Sequence, residues 1–252
     1  MGKINYINIA ESDSSSPDKK TLFKYMSLSS ALSLIQDKSL WFANPKTWKD
    51  PFESRFMNAQ YQSQKGLYDC PWVDRVFCSC FTQTPCSEAF WVTRASNELL
   101  VRLTIDKEVL KEGLNHLANS GFDVYVGAVD YCETKNITGS LSQIKFCSPY
   151  SGKIDVADKD FFARLMLLKR NAFRYEDELR VLLFADTAIN RKGVEQLIKH
   201  GLSKSLVTCV QLPPNIGKEA SDFLKQSLAS MEVKIEQSHL YDDFYGKTII
   251  KY

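Results

Sequence analysis

The stretch FRYEDELRVLLF, Phe173 to Phe184, places Glu176, Asp177 and Glu178 directly before an apolar, strand-like run and follows them with Arg180. Three adjacent carboxylates repel one another. The arrangement is therefore either a solvated entrance to a strand or a place where negative charge is needed. In an extended chain Glu176, Glu178 and Arg180 point to one face, whereas Tyr175, Asp177, Leu179, Val181 and Leu183 point to the other. A solvated acid-arginine pair satisfies this pattern as well as a functional cluster does.

Around that run the chain alternates between two periods. TLFKY (21–25) and SLWFA (39–43) read as short strands, separated by a helix that Ser27 or Ser29 caps. VFCSCFTQ and ELLVRLTID are further strands on either side of a short helix in PCSEAFWVTRASN. KEVLKEGLNHLANSG is a helix ended by Gly121, and DVYVGAVDYCE is a strand. Helical periodicity runs through KDFFARLMLLKRNAF up to the acidic stretch. The last third reads as helix GVEQLIKHGL, strand LVTCVQLP, helix KEASDFLKQSLASM and strand EVKIEQSHL. Strands scattered among helices predict an α+β fold, a mixed sheet flanked by helices. Residues 1–20, with the polar ESDSSSPDKK, read as a flexible lead-in to a single domain over 21–252, in which 186–252 complete the sheet or form an accessory lobe.

The bulk properties narrow the function. A net charge of +2 predicts no strong overall attraction to nucleic acid or membrane. Seven cysteines without a CxxC pair suit reduced thiols, and hence a cytoplasmic protein, better than a disulfide framework. Cys78, Cys80 and Cys86 cluster, but no histidine lies at a zinc-ligand spacing, so buried thiols are the simpler reading. The N-terminus lacks the pattern of a secretory signal, and no apolar run is long enough for a membrane span. Neither GxGxxG nor GxxxxGK[ST] is present.

Four segments carry polar and aromatic residues beyond the needs of a core. Lys24 sits beside Tyr25 in an apolar strand, where an exposed lysine on an edge strand is the structural alternative. NPKTWKDPFESRF carries Asp50, Phe52, Glu53 and Arg55; its aromatic residues either pin a loop to the core or line a site for a polar aromatic ligand. Trp91 and Arg94 lie on the short helix, where Trp91 either anchors the helix or walls a nucleotide pocket. The fourth segment is the acidic one.

In order and spacing, LFKYMSL, LWFANPKTWKDPFES, VFCSCF, AFWVTRAS, VDY and LKRNAFRYEDELRVLLF resemble a bacterial family catalogued as a domain of unknown function, over residues 21–185. Its pattern comprises a Lys-Tyr strand, an Asn-Asp-Pro-Phe-acid loop, a Cys-Phe strand end, a Met-Trp-x-x-Tyr helix and a Tyr-Glu-x-Glu-x-x-Arg-like strand. That family in turn distantly resembles the ADP-ribosyltransferase toxins, in which a strand-helix unit grips nicotinamide adenine dinucleotide (NAD) and a strand-borne glutamate is catalytic. Two positions depart from the pattern: Arg94 replaces the helix tyrosine, and Lys49 replaces the loop asparagine.

The resemblance implies an ADP-ribosyltransferase-like sheet and NAD as substrate. Glu178 would be the catalytic carboxylate and Glu176 an acceptor of the nucleophile's proton. Arg180 would keep the acids ionised or bind a phosphate. Lys24 and Tyr25 would hold nicotinamide or ribose, Asp50 and Phe52 would shape the pocket, and Trp91 and Arg94 would line it. A toxin or phage-defence effector acting on RNA or DNA, with an antitoxin or other defence protein as partner, follows from the same resemblance. Two other readings stay open: a catalytically inactive nucleotide-binding or protein-interaction module, and a magnesium-dependent nuclease using Asp50, Glu53, Glu176 and Glu178.

Overall fold

The computed structural model describes residues 3–9, 20–63, 66–94, 98–144, 146, 151–152, 154–189, 192–197 and 204–241. The strands are β1 (Ile4–Ile7), β2 (Thr21–Ser27), β3 (Ser39–Ala43), β4 (Gln60–Ser63), β5 (Gly66–Asp69), β6 (Val76–Thr82), β7 (Leu100–Asp106), β8 (Phe122–Ala128), β9 (Asp130–Cys132), β10 (Leu168–Arg170), β11 (Glu178–Ala185), β12 (Gly193–Leu197), β13 (Val207–Leu212) and β14 (Lys234–Gln237). The α-helices are α1 (Leu28–Asp37), α2 (Pro51–Asn58), α3 (Glu88–Thr93), α4 (Lys107–Asn119), α5 (Thr134–Ile137), α6 (Lys159–Met166) and α7 (Lys218–Ser227).

Ten strands form one mixed sheet in the order β1-β8-β11-β6-β2-β7-β13-β14, with β3 paired to β6 and β12 to β3. The fold is α+β, a large mixed sheet flanked by helices. β11 lies near its middle, antiparallel to both β6 and β8, and all of its residues are buried. Leu179, Val181 and Leu183 join the core on one face with α1 and α4 residues such as Ala31, Leu34, Leu110 and Leu114. Leu182 and Phe184 join the opposite core with Phe56 and Met57 of α2 and Phe161 and Phe162 of α6. Burial on both faces explains why this run is almost continuously apolar.

β6 is where the sheet forks. One of its edges pairs with β11 throughout, while the other meets β2 at Phe23↔Thr82 and β3 at Ala43↔Cys78. The backbone between those two points faces a gap.

Several expectations need correction. β1 lies within the expected lead-in and pairs in parallel with β8, because Ile4 and Ile7 supply apolar side chains to opposite cores. Residues 10–19 lie outside the described ones. The expected helix GVEQLIKHGL is instead strand β12 over its first five residues, antiparallel to β3; residues 198–202 are not described. The helix expected through residue 173 ends at Met166, and β10 then runs parallel to β9. Finally, β11 begins only at Glu178: residues Asn171–Glu176 form a 3-10 turn, and Asp177 takes a left-handed conformation with φ 40°.

Candidate active site

The left-handed turn at Asp177 makes the acidic run a cluster instead of a stripe. It leaves Asp177 exposed while Glu176 and Glu178 turn inward, 6% and 4% exposed. Lys169 of β10 lies between them, its Nζ 3.0 Å from Glu176 Oε2 and 3.2 Å from Glu178 Oε2. Arg180, two residues along β11 and 1% exposed, reaches back to Glu178 Oε2 with Nη2 at 2.7 Å and Nε at 3.2 Å.

Glu53 joins from α2. Asp50 caps that helix by accepting from the N–H of Phe52 at 2.9 Å, and Pro51 suits its first turn, where no backbone donor is needed. Glu53 therefore sits in the first turn, with Oε1 3.2 Å from Lys169 Nζ and Oε2 bonded to Arg180 Nη2. Arg180 also donates to the carbonyl of Met166 at 2.6 Å and stacks over Trp48, 4.6 Å from its centroid. Arg94 pairs with Glu176 at 3.1 Å. Three carboxylates thus meet three cations, which is how the buried acids escape their mutual repulsion.

Burial pushes the Glu178 carboxyl up, but Arg180 and Lys169 outweigh it and hold the group at about 2. Burial likewise pulls Lys169 down, and its acidic neighbours, led by Glu178, reverse this and raise it. Glu178 is therefore a carboxylate at every physiological pH. All its charged contacts fall on Oε2, and no described residue bonds Oε1. Its backbone is pinned as well: its N–H donates to the Tyr131 hydroxyl at 3.0 Å, and its carbonyl accepts from Val129 at 2.9 Å.

A cleft of about 70 Å³ opens on this carboxylate, lined by Phe23, Lys24, Tyr25, Cys80, Phe81, Thr82, Phe90, Arg94 and Glu178. Lys24 fills the fork of the sheet: its Nζ donates to the Cys80 carbonyl at 2.7 Å and to Ser79 Oγ at 3.0 Å, between the points where that edge of β6 pairs with β2 and with β3. β2 is an interior strand, so the edge-lysine alternative does not hold. Burial lowers the Lys24 pKa, with Arg94 acting in the same direction. Tyr25 stacks on Phe90 at 4.5 Å, and Arg94 lies over the same Phe90 at 5.0 Å.

Of the residues singled out in sequence, Lys24, Tyr25, Arg94 and Glu178 line the cleft; Glu176 and Arg180 support it from behind. Trp91 is buried edge-on against Tyr25 at 5.0 Å and forms no part of the lining. Asp50 and Phe52 stand apart with Arg170, which pairs with Asp50 at 2.9 Å and lies over Phe52 at 4.3 Å. The magnesium reading loses its geometry, because the Lys169 ammonium and the Arg180 guanidinium occupy the space among Glu53, Glu176 and Glu178.

Sequence reasoning missed Lys169 and Tyr131. The available signal for Lys169 was charge balance: Lys169, Arg170 and Arg174 precede the acidic run within seven residues. A larger cleft of about 240 Å³ lies on the other face, lined by Leu22, Leu110, Leu114 and Leu179, and contains none of these groups. The smaller one is the candidate site, since it brings the buried, ion-paired Glu178 carboxylate to the edge of a ligand-sized space.

No protein-family model matches the chain, and no curated protein matches it. Solved structures similar to it include DarT of Thermus sp. 2.9 in complex with NAD+, at 10% identity over 88% of this chain and 96% of that one, with a TM-score of 0.36. The same protein in complex with ADP-ribosylated ssDNA matches at 10% identity over 94% and 98%, with a TM-score of 0.37. Its carba-NAD+ complex matches at 11% over 88% and 96%, with a TM-score of 0.34. At TM-scores and identities this low the likeness carries no argument about the chain's chemistry.

Proposed function

We propose that the chain is an NAD-dependent ADP-ribosyltransferase working at the Lys24–Glu178 cleft. One observation carries this reading: Lys24, Tyr25, Arg94 and Glu178, which the sequence resemblance marks as NAD-binding or catalytic, line one small cleft although they come from three distant segments. The space suits a ring-sized part of a dinucleotide, with the remainder lying outside.

Glu178 supplies the chemistry. Heterolysis of the bond between nicotinamide and ribose leaves the bonding pair on nicotinamide, which departs neutral, and positive charge on the ribosyl carbon. A fixed carboxylate beside that carbon stabilises the charge, and its free oxygen accepts a hydrogen bond from a ribose hydroxyl. Arg180 and Lys169 keep Glu178 ionised and immobile on Oε2, leaving Oε1 for the substrate. Tyr25 and Phe90 provide an aromatic wall, and Arg94 a planar cation able to stack at the mouth. With its Oε2 already engaged by two cations, Glu176 positions Arg94 better than it takes up a proton.

The acceptor we propose is RNA or DNA, and the biological role a toxin or phage-defence effector in the cytoplasm, paired with a neutralising protein; both follow from the sequence resemblance. In keeping with a reducing compartment, the six described cysteines are free thiols. Among the described residues no helix is long and apolar enough to cross a membrane.

A second reading, a binding module without turnover, is favoured by Arg94 standing where the resembled family carries tyrosine. Incubation with labelled NAD and, separately, RNA, DNA and lysate, beside Glu178→Gln, separates the two. Label transfer by the unchanged protein alone supports the transferase; ligand binding without transfer or nicotinamide release supports the module.

A further inference from the structure

Arg102 of β7 lies directly across from Tyr25 on β2 and from Gln211 on β13. Directly opposed residues share a sheet face, so the three form a row across it. Arg102 is 8% exposed, yet it forms no ion pair with any described residue. Its guanidinium rests on the Phe23 ring at 4.6 Å, and its Nε is buried without a hydrogen-bond partner. Gln211 Oε1 is unpartnered in the same way, as is the indole Nε1 of Trp91, whose ring meets Tyr25.

This contrasts with Lys169 and Arg180, buried cations that each hold two or more carboxylates. The acid nearest along the row, Glu236 opposite Gln211, is engaged by Lys234 and by the Cys209 thiol. Burial accordingly draws the Arg102 pKa down. A nearly buried cation without an anion is costly to maintain, and a guanidinium matches phosphate oxygens in geometry as well as charge. The row also adjoins the candidate site, because Phe23 and Tyr25, which touch or oppose Arg102, form one wall of the Lys24–Glu178 cleft.

We infer that Arg102, with Gln211 and Trp91 beside it, forms a subsite for a phosphate group of the nucleotide whose ribosyl end enters the Lys24–Glu178 cleft. The inference rests on the transferase reading for the identity of that nucleotide. Gln211 presents its amide once the side chain turns, and the Trp91 indole adds an N–H donor.

The test is calorimetric titration of the folded full chain with ADP-ribose, ADP and inorganic pyrophosphate, and with adenosine and nicotinamide as phosphate-free probes, repeated on Arg102→Gln and Arg102→Lys. The phosphate-bearing probes are expected to bind, with affinity falling as salt rises and dropping about tenfold or more in Arg102→Gln. The ligand-free Arg102→Gln protein is expected to melt no lower than the unchanged one, since no partner is orphaned. Should that variant fail to fold, Arg102→Lys, which keeps the charge but loses the planar fork, is expected to weaken the same probes severalfold. Unchanged affinity in the variants, equal binding of adenosine and ADP, or no binding of any phosphate-bearing probe overturns the inference. The transferase reading fails differently: ADP-ribose binds through Arg102 while no nicotinamide is released.

Discussion

Lys169 and Glu178 sit on different strands, yet the Nζ of one lies 3.2 Å from the Oε2 of the other and both side chains are almost wholly shut from water. The same ammonium reaches Glu53 and Glu176. One lysine therefore holds three carboxylates in place.

Replacing Lys169 by methionine should be among the most damaging single changes. It leaves Glu53, Glu176 and Glu178 facing only Arg180 and Arg94, and breaking a buried pair on one side costs about 3–5 kcal/mol. Denaturant unfolding should show a loss of that size. A loss under about 1 kcal/mol would mean that the cluster is open to water.

The pH dependence follows from the sign of the Glu178 shift. Its folded pKa lies below the ordinary value of 4.5, at about 2. Its contribution to stability is thus complete above about 4.5 and is lost as pH falls toward 2. By linkage this amounts to roughly 3 kcal/mol. Acid titration of the unchanged protein should show the loss, and Glu178→Gln, already missing it at neutral pH, should respond less steeply. Lys169, raised in the fold, contributes below its ordinary 10.5 and loses that contribution only as pH climbs beyond it.

Arg94 should separate binding from stability. Its side chain is 40% exposed and its ion pair with Glu176 is correspondingly screened, so Arg94→Ala should change stability by no more than about 1 kcal/mol. As it lines the cleft, the same change should raise KM for NAD about tenfold, read from nicotinamide release. A large stability loss with unchanged KM would instead make it a structural residue.

Lys24→Met should harm the site through the backbone. The variant leaves the Cys80 carbonyl without its donor in the fork of the sheet, at a cost of about 1–3 kcal/mol. Hydrogen exchange should rise in β6 between Ser79 and Phe81 and remain unchanged in β13.

The sequence carried β11 clearly, because burial on both faces leaves a near-continuous apolar run that no turn residue interrupts. Lys24, Tyr25, Arg94 and Glu178 were legible as a set only through motif order, since nothing local announces that β2, α3 and β11 meet. The partnership of Glu176 with Glu178 was legible too, but for the wrong reason. They meet because Asp177 turns left-handed, not because a strand alternates. Lys169 stayed hidden because its helix-like context continued the period of α6, whereas the chain breaks after Met166 to pair with β9. GVEQL was misread for a related reason: its short run fits either period, and pairing with β3 decides it. β1 was lost because four residues before a polar stretch carry too little pattern to be seen without β8 beside them.

The rate of nicotinamide release from NAD, measured for the unchanged protein and for Glu178→Gln after both are shown to be folded, tests the central claim most directly. The account predicts release by the unchanged protein and a loss of about a hundredfold or more in the variant, the scale expected when a preorganised charge is removed from a developing one. Equal release by the two folded proteins would contradict it, and would leave the buried cluster of Glu53, Lys169, Glu178 and Arg180 a feature of stability alone.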